Sequence, residues 1–264
     1  ENQDGSSAAA YDAVIIGAGV IGCAIAYELS KRGLRTLNVD RLPAAGYGST
    51  SASCAVIRVH YSTLDGTAFA YDGYFAWKNW VSHLQAEDES GPARFRETGC
   101  LVMKTEGNQH LEKIIENTAA LGIPFEEWDT NRIRSTLPIY DLKCFAPAKR
   151  RDETSFGEPT GGIINGGVYF PTAGYISDPQ LATQNLQAAA AARGAEFRFN
   201  SRVTQIPVES GRVRGVTLAD GSQISAPVVV NVAGPHSSRI NQLAGAQVDM
   251  KITTRALRQE VAHV

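Results

Sequence analysis

Apolar and polar residues follow one another along this chain in blocks whose period changes. Residues 13–16 read A-V-I-I, an unbroken apolar run of strand character. From about Val20 to Arg32 the apolar positions recur at helical spacing in an alanine-rich stretch, and Gly33 breaks the pattern. A second apolar run, 34–39, ends at Asp40. Between the first strand and its helix stand Gly17, Gly19 and Gly22, in G-x-G-x-x-G spacing. Gly17 allows the tight turn, Gly19 lets a pyrophosphate reach the backbone, and Gly22 lets the helix pack closely on the sheet. The helix then starts at Val20 and Ile21 with free N–H groups and a partial positive charge turned to the phosphates. Asp40, 18 residues past Gly22, is placed to accept hydrogen bonds from ribose hydroxyls. Strand, helix, strand and terminal acid in this order predict dinucleotide binding. The bland alternative is a glycine-bearing loop in an ordinary α/β domain.

After Asp40 comes RLPAAGYGSTSASCAVIRVHYS, too long and irregular for a plain connection. Gly46, Gly48, Ser49, Thr50 and Ser51 are turn formers and hydroxyl donors, suited to a polyanion or a ring with many acceptors; a serine-rich surface loop is the competing reading. Arg58 and His60 alternate with Ile57 and Val59, as on a short extended segment. Within 69–85, Tyr74, Trp77, Val81 and Leu84 fall at helical spacing and predict a core-facing helix. A polar connection at 87–92 suits a change of domain.

Residues 95–104 read as a strand, about 109–121 as a helix stopped by Gly122, and 132–137 as a helical turn before Pro138. The charged run 149–153 reads as a solvated loop. Residues 161–170 read as a hairpin turning at Asn165-Gly166. Ser177 or Asp178 caps a helix with Pro179 in its first turn, running to about Arg193 and stopped by Gly194. Strands follow at 196–199 and 202–208, and Asp220-Gly221 joins 213–218 to 222–225 as a hairpin. The apolar run 228–232 reads as a strand covered on both faces. It ends in a sharp turn, Ala233-Gly234-Pro235, at the strand edge where ligands of open α/β sheets collect.

Composition narrows the function classes. With 264 residues the chain is long enough for one or two domains. It is 43% hydrophobic and carries a net charge of −2, so there is no basic excess to bind nucleic acid. No apolar run reaches membrane-spanning length. The first ten residues, ENQDGSSAAA, lack the pattern of a secretory signal and read as a disordered leader or an expression remnant. Cys23, Cys54, Cys100 and Cys144 are far apart, which suggests free thiols in a reducing compartment, the cytoplasm, and no metal cluster. Cys23, on the first helix, reads as a small core residue. The five histidines show no ligand spacing, so no metal site is expected.

Five stretches carry a resemblance: VIIGAGVIGCAIAYELSKRG, GYGSTSASCAVIR, GGVYFPTAGYISDPQLATQNLQAAAAARGAEF, VVVNVAGPHSSRINQLAG and LRQEVAHV. In this order they resemble the D-amino-acid oxidase family of FAD-dependent oxidoreductases, and within it the sarcosine-oxidase-like and dimethylglycine-oxidase-like branch. The resemblance implies an α/β fold with a Rossmann-like FAD-binding domain and a mostly parallel sheet. A partial α+β substrate domain with an antiparallel sheet would accompany it. The FAD domain would be discontinuous, 11–92 and 154–240, with the substrate domain at 93–153 and again at 246–264. Gly17, Gly19 and Gly22 would hold the pyrophosphate. Asp40 would take the adenosine ribose, Arg41 would lie near the adenine, and Ser49, Thr50 and Ser51 would line the path from pyrophosphate to flavin. Val203 would meet the adenine through its backbone, and Ala233 and Gly234 would make the second dinucleotide contact. Relatives that attach FAD through a histidine carry it directly after the S-T-S triplet; Ala52 stands there, so that link is not expected. Cys54 nearby is expected to be a packed thiol. Where the family usually carries an aromatic residue after the late glycine, this chain reads Gly234-Pro235-His236.

The implied reaction is oxidation of the C–N bond of an amino acid or secondary amine, by hydride transfer to the flavin. Oxygen or a redox partner would then reoxidise it. Arg58 is the first candidate to anchor a substrate carboxylate, with His60 and Tyr61 behind it; Arg58 could equally steady the flavin or pair with a local acid. The family continues beyond a segment like 257–264, so either a fragment or a chain completed by a second polypeptide is expected. The rival functions are an FAD dehydrogenase serving a quinone or partner subunit, and a non-catalytic FAD-binding subunit.

Overall fold

The computed structural model describes residues 11–86 and 88–258. The expected leader and the last residues of the final motif, 259–264, lie outside them. The chain divides into two compact units, the first made of 1–55, 80–94 and 176–264, the second of 56–79 and 95–175.

The first unit is built on a parallel sheet in the order Val228–Asn231, Ala13–Ile16, Thr36–Val39, Glu196–Arg198. Ala13–Ile16 is central and wholly buried. Val14 and Ile16, with Leu37 and Val39, face an antiparallel meander, Val203–Gln205, Gly215–Leu218 and Gln223–Ser225, and share a core with Val216, Leu218 and Ile224. Helices Val20–Ser30 and Pro179–Ala191 pack together, and Cys23, Ala26, Ala182, Ala189 and Ala190 are buried on them. Small side chains there allow a close approach of the two helices. Asp178, the expected cap, accepts from the Leu181 N–H at 3.0 Å. Fully buried Asn185 bonds to Asp88, Gly91, Ala93 and Trp80, tying 80–94 to this helix.

The second unit is α+β. Its antiparallel sheet runs Cys100–Met103, Gly167–Phe170, Glu126–Trp128. Leu111, on helix Leu111–Ala120, joins Val168 and Phe170 in one core cluster, and Ile133, on helix Thr130–Thr136, joins Trp128 and Leu142 in another. A small second sheet joins Val56–Ile57, Gly174–Ile176 and Phe95–Arg96. Helix Leu64–Lys78 meets Leu111–Ala120, with Val59, Tyr74 and Ile123 buried together.

Several expectations are corrected. The stretch 161–170 is not a hairpin: Ile163 bridges to Lys143, and 167–170 pairs with 100–103 and 126–128. Gly166 instead allows a close pass, because a Cβ there would meet the Trp128 carbonyl oxygen at 2.3 Å. The helix expected across 69–85 breaks at Asn79, so its buried residues are Tyr74, Trp80 and Leu84, while Val81 is exposed. Gly99, at φ +75°, splits the strand expected at 95–104. The run 228–232 gives an edge strand, Val228–Asn231, exposed at Val228 and half-buried beyond it, which among the described residues pairs with Ala13–Ile16 on one side of the sheet. Within the second unit 56–79 and 154–175 pack with 95–153, because their helix and strand find their partners there.

Candidate functional site

A cleft of about 480 Å³ opens at the C-terminal ends of the strands Ala13–Ile16, Thr36–Val39 and Val228–Asn231. Gly17, Gly19, Val20, Ile21, Asp40, Arg41, Ser49, Thr50, Val203, Ala233 and Gly234 all line it. Gly22, which is buried, and Ser51, which is exposed, are not among its lining residues.

The glycines have distinct duties. Gly17 has φ +122°, and a Cβ there would lie 2.4 Å from the Val232 carbonyl oxygen. At Gly22 a Cβ would meet the Gly17 carbonyl oxygen at 2.1 Å, so the helix packs on the turn itself. At Gly19 a Cβ would meet only the Thr50 hydroxyl, at 3.2 Å. That hydroxyl accepts from the Val20 N–H at 3.2 Å. The helix start has no side-chain cap from Gly19 and no acid in its first turn. Bare backbone, a helix N-terminus and a hydroxyl form a cradle that fits a phosphate.

Asp40 braces this turn. One carboxylate oxygen accepts from the Ala18 N–H at 2.8 Å, the other from the Leu42 N–H at 2.9 Å. Each oxygen keeps acceptor capacity, since a carboxylate offers about four lone-pair sites. Asn38 completes the brace and was not foreseen: its amide donates to the Gly17 and Gly22 carbonyls at 3.2 and 3.1 Å. A polar residue between Leu37 and Val39, just before the terminal Asp40, was the available signal. The loop after Asp40 is pinned at its root, where Gly46 N–H donates to the Ala18 carbonyl and Gln180 to the Ala45 carbonyl. Asn231 holds the opposite turn through Ser237, Asn241 and the Ala233 N–H. His236 of the late turn also lines the cleft, with Arg202 and Arg239, which no motif in the sequence marks.

Arg58 and His60 belong to the second unit. Arg58 is exposed, with its guanidinium 4.6 Å from the Tyr61 ring centre. His60 is 4% exposed, stacks on Phe170 with ring centres 4.2 Å apart, and has no partner for Nδ1. Burial, with Arg58 adding to it, pushes this imidazole down to about 4, so it is neutral at pH 7. Burial pushes the Cys23 thiol up to about 12, with Asp40 reinforcing the shift. Cys54 corrects an expectation: it is exposed, because the turn-rich segment that carries it has no helix or strand to bury it. Among the described residues no helix is long and apolar enough to cross a membrane, and no group of three or more His, Cys, Asp or Glu is placed to hold a metal ion.

The family model described as FAD dependent oxidoreductase matches residues 12–264. The chain is 25% identical over 221 residues to N-methyl-L-tryptophan oxidase of Yersinia pestis, covering 83% of this chain and 53% of that protein. It is 27% identical over 243 residues to the tRNA 5-methylaminomethyl-2-thiouridine biosynthesis bifunctional protein of Ralstonia nicotianae, covering 89% of this chain and 32% of that one. The chain thus spans about half of one curated relative and a third of the other. In structure it resembles L-proline dehydrogenase from P. horikoshii, with TM-score 0.73 and 22% identity over 92% of this chain and 57% of that one.

Proposed function

The chain belongs to the FAD dependent oxidoreductase family, and from that premise we propose that it holds FAD in the cleft at the sheet edge and serves oxidation of an amino acid or secondary amine. The carrying observation is convergence: Gly17, Gly19, Thr50 and Asp40, from separate parts of the chain, line one cleft with a helix start at its base. In this reading Gly17, Gly19 and Gly22 shape the pyrophosphate cradle, and the helix start at Val20 and Ile21 faces it, with the Val20 N–H already donated to the Thr50 hydroxyl. Asp40 takes the ribose with its remaining acceptor sites, and Val203 and Arg41 flank the adenine. Ser49, Thr50 and Ser51 line the way toward the flavin, and Ala233 and Gly234 close the opposite wall.

Bound FAD supplies the two-electron acceptor for the C–N bond. Arg58 anchors the substrate carboxylate, because its planar fork makes paired hydrogen bonds, and its guanidinium lies over the Tyr61 ring. His60 acts as a positioning residue: neutral and enclosed against Phe170, it stiffens the segment bearing Arg58 and adds no competing charge.

The test is reconstitution with FAD, followed by an absorbance spectrum before and after acid precipitation. Flavin bands with colour released to the supernatant are expected. A chain that takes up no FAD would overturn the reading, and colour kept in the pellet would show a covalent link, for which exposed Cys54 is the nearest thiol to the Ser49–Ser51 triplet. With flavin bound, peroxide formed from N-methyl and free amino acids identifies an oxidase. Reduction of an added quinone without peroxide identifies a dehydrogenase.

A further inference from the structure

The turn that follows the strand Val228–Asn231 is held by a chain of side-chain amides. Asn231 Oδ1 accepts from the Ala233 N–H at 3.2 Å, and Asn231 Nδ2 donates to the Ser237 carbonyl at 2.8 Å. The same nitrogen donates to Asn241 Oδ1 at 2.6 Å. These partners fix both amides. A backbone N–H can only donate and a carbonyl can only accept, so Asn231 has one orientation, and Asn241 must turn its oxygen toward it. Asn241 Nδ2 then faces the Met250 thioether, 3.2 Å from Sδ. Sulfur is the acceptor there, since a thioether has no proton to give.

The chain of amides bears on a wall of the cleft. Ala233 lines the cleft, as do Arg239, Ile240 and Leu243 of the helix Ser237–Leu243, which also carries Asn241. The short helical turn Ala246–Asp249 packs on that helix, and Gln247 Nε2 donates to the Ser238 carbonyl at 3.0 Å. Gln247 and Met250 thus strap the residues after Gly245 to the wall helix. Met250 is 43% exposed. Met103, the other methionine of the chain, is half-buried on the strand Cys100–Met103 of the second unit.

We propose, resting on the reading of the cleft as the FAD site, that Met250 is a modification site for hydrogen peroxide, and that its oxidation loosens this wall and weakens retention of FAD. A sulfur lone pair attacks one peroxide oxygen, the O–O bond breaks and an S–O bond forms. The proton of the transferred oxygen passes to the departing one, which leaves as water. Sulfur is oxidised by two electrons to the sulfoxide, and peroxide is reduced. An oxygen on the lone pair that faces Asn241 would fall inside the 3.2 Å gap, and an oxygen on the other pair leaves a sulfur drained of acceptor strength. Either product undoes the end of the chain of amides, and Asn241 is then free to turn away from Asn231.

The experiment treats the chain with hydrogen peroxide, locates the added oxygen by peptide mass spectrometry, and follows amide hydrogen exchange over 231–245 and release of FAD. Oxygen is expected on Met250 before Met103. Exchange at the Ala233 turn should then rise, and FAD affinity fall, by about two- to fivefold, the worth of one weak hydrogen bond. Met250→Leu lacks the acceptor and cannot be oxidised at that position, so it should exchange fast from the start and ignore peroxide. Met103→Leu should respond as wild type does. A response that persists in Met250→Leu would assign the effect to another residue, such as exposed Cys54, and overturn the proposal. Sulfoxide on Met250 with unchanged exchange would overturn it too, as would oxidation of Met103 first. Faster exchange with FAD held as tightly as before removes the link to the cofactor and leaves the cofactor site standing. No uptake of FAD by untreated chain removes the cofactor reading and that link together, and the exchange measurement still decides the strap.

Discussion

His60 couples the stability of this protein to pH in a measurable window. An exposed imidazole titrates near 6.5, and in the folded chain burial and then Arg58 push His60 down to about 4. The unfolded chain therefore takes up a proton that the native chain refuses. Stability tied to the neutral ring is complete above about pH 6.5 and is lost as the pH falls through that value toward about 4. At 1.36 kcal/mol per pKa unit the full loss is about 3 kcal/mol, of which about 2 kcal/mol is gone by about pH 5. The perturbation that isolates it is His60→Phe. Phenylalanine retains the stack on Phe170 and deletes an Nδ1 that has no partner, so no hydrogen bond at that atom is lost. Urea unfolding of both proteins at about pH 7.5 and about pH 5 supplies the test, and their difference cancels the carboxylates that titrate in both. Wild type should lose about 2 kcal/mol more than the variant across that interval. Parallel losses would refute a buried neutral imidazole at this position.

Gly22→Ala should destabilise the chain by more than about 2 kcal/mol and abolish FAD uptake, because the new Cβ would sit 2.1 Å from the Gly17 carbonyl oxygen. Gly73→Ala, also inside a helix but with nothing within 4 Å of the new Cβ, should gain about 0.5–1 kcal/mol, so thermal unfolding of the pair separates packing from propensity. Asn185→Ala should cost about 3 kcal/mol by chemical denaturation, since it strips hydrogen bonds from buried partners on 80–94; a loss under about 1 kcal/mol would deny that clamp its role. Arg58→Lys should raise KM for a carboxylate-bearing amine about tenfold or more while FAD affinity stays unchanged, measured by steady-state kinetics and flavin titration.

Local chemistry made much of the first unit legible. The turn at Gly17, the helix that follows it, the Asp178 cap and the hairpin at Asp220-Gly221 depend on neighbours within a few residues, and all are present. Expectations failed where a residue's partner is distant in sequence. Asn165-Gly166 has hairpin chemistry, yet Gly166 lies against Trp128, and the strand after it pairs with 100–103. Asn79 interrupts a regular apolar period and moves the buried set to Trp80 and Leu84. Asn38 looks like an imperfection in an apolar run, although its amide ties Gly17 to Gly22.

The sequence by itself determined the glycine turn after the first strand and the parallel fold class, because glycine spacing and hydrophobic period are properties of contiguous residues; the family followed from the resemblance of five longer stretches. Tertiary structure alone decided what surrounds that turn. It spends Asp40 first on backbone N–H groups, sets Thr50 on the helix start, encloses His60 against Phe170 and brings Arg41 to His236. These are contacts between segments up to 195 residues apart. Their existence depends on which strands pair and in what register, which no local run of residues encodes.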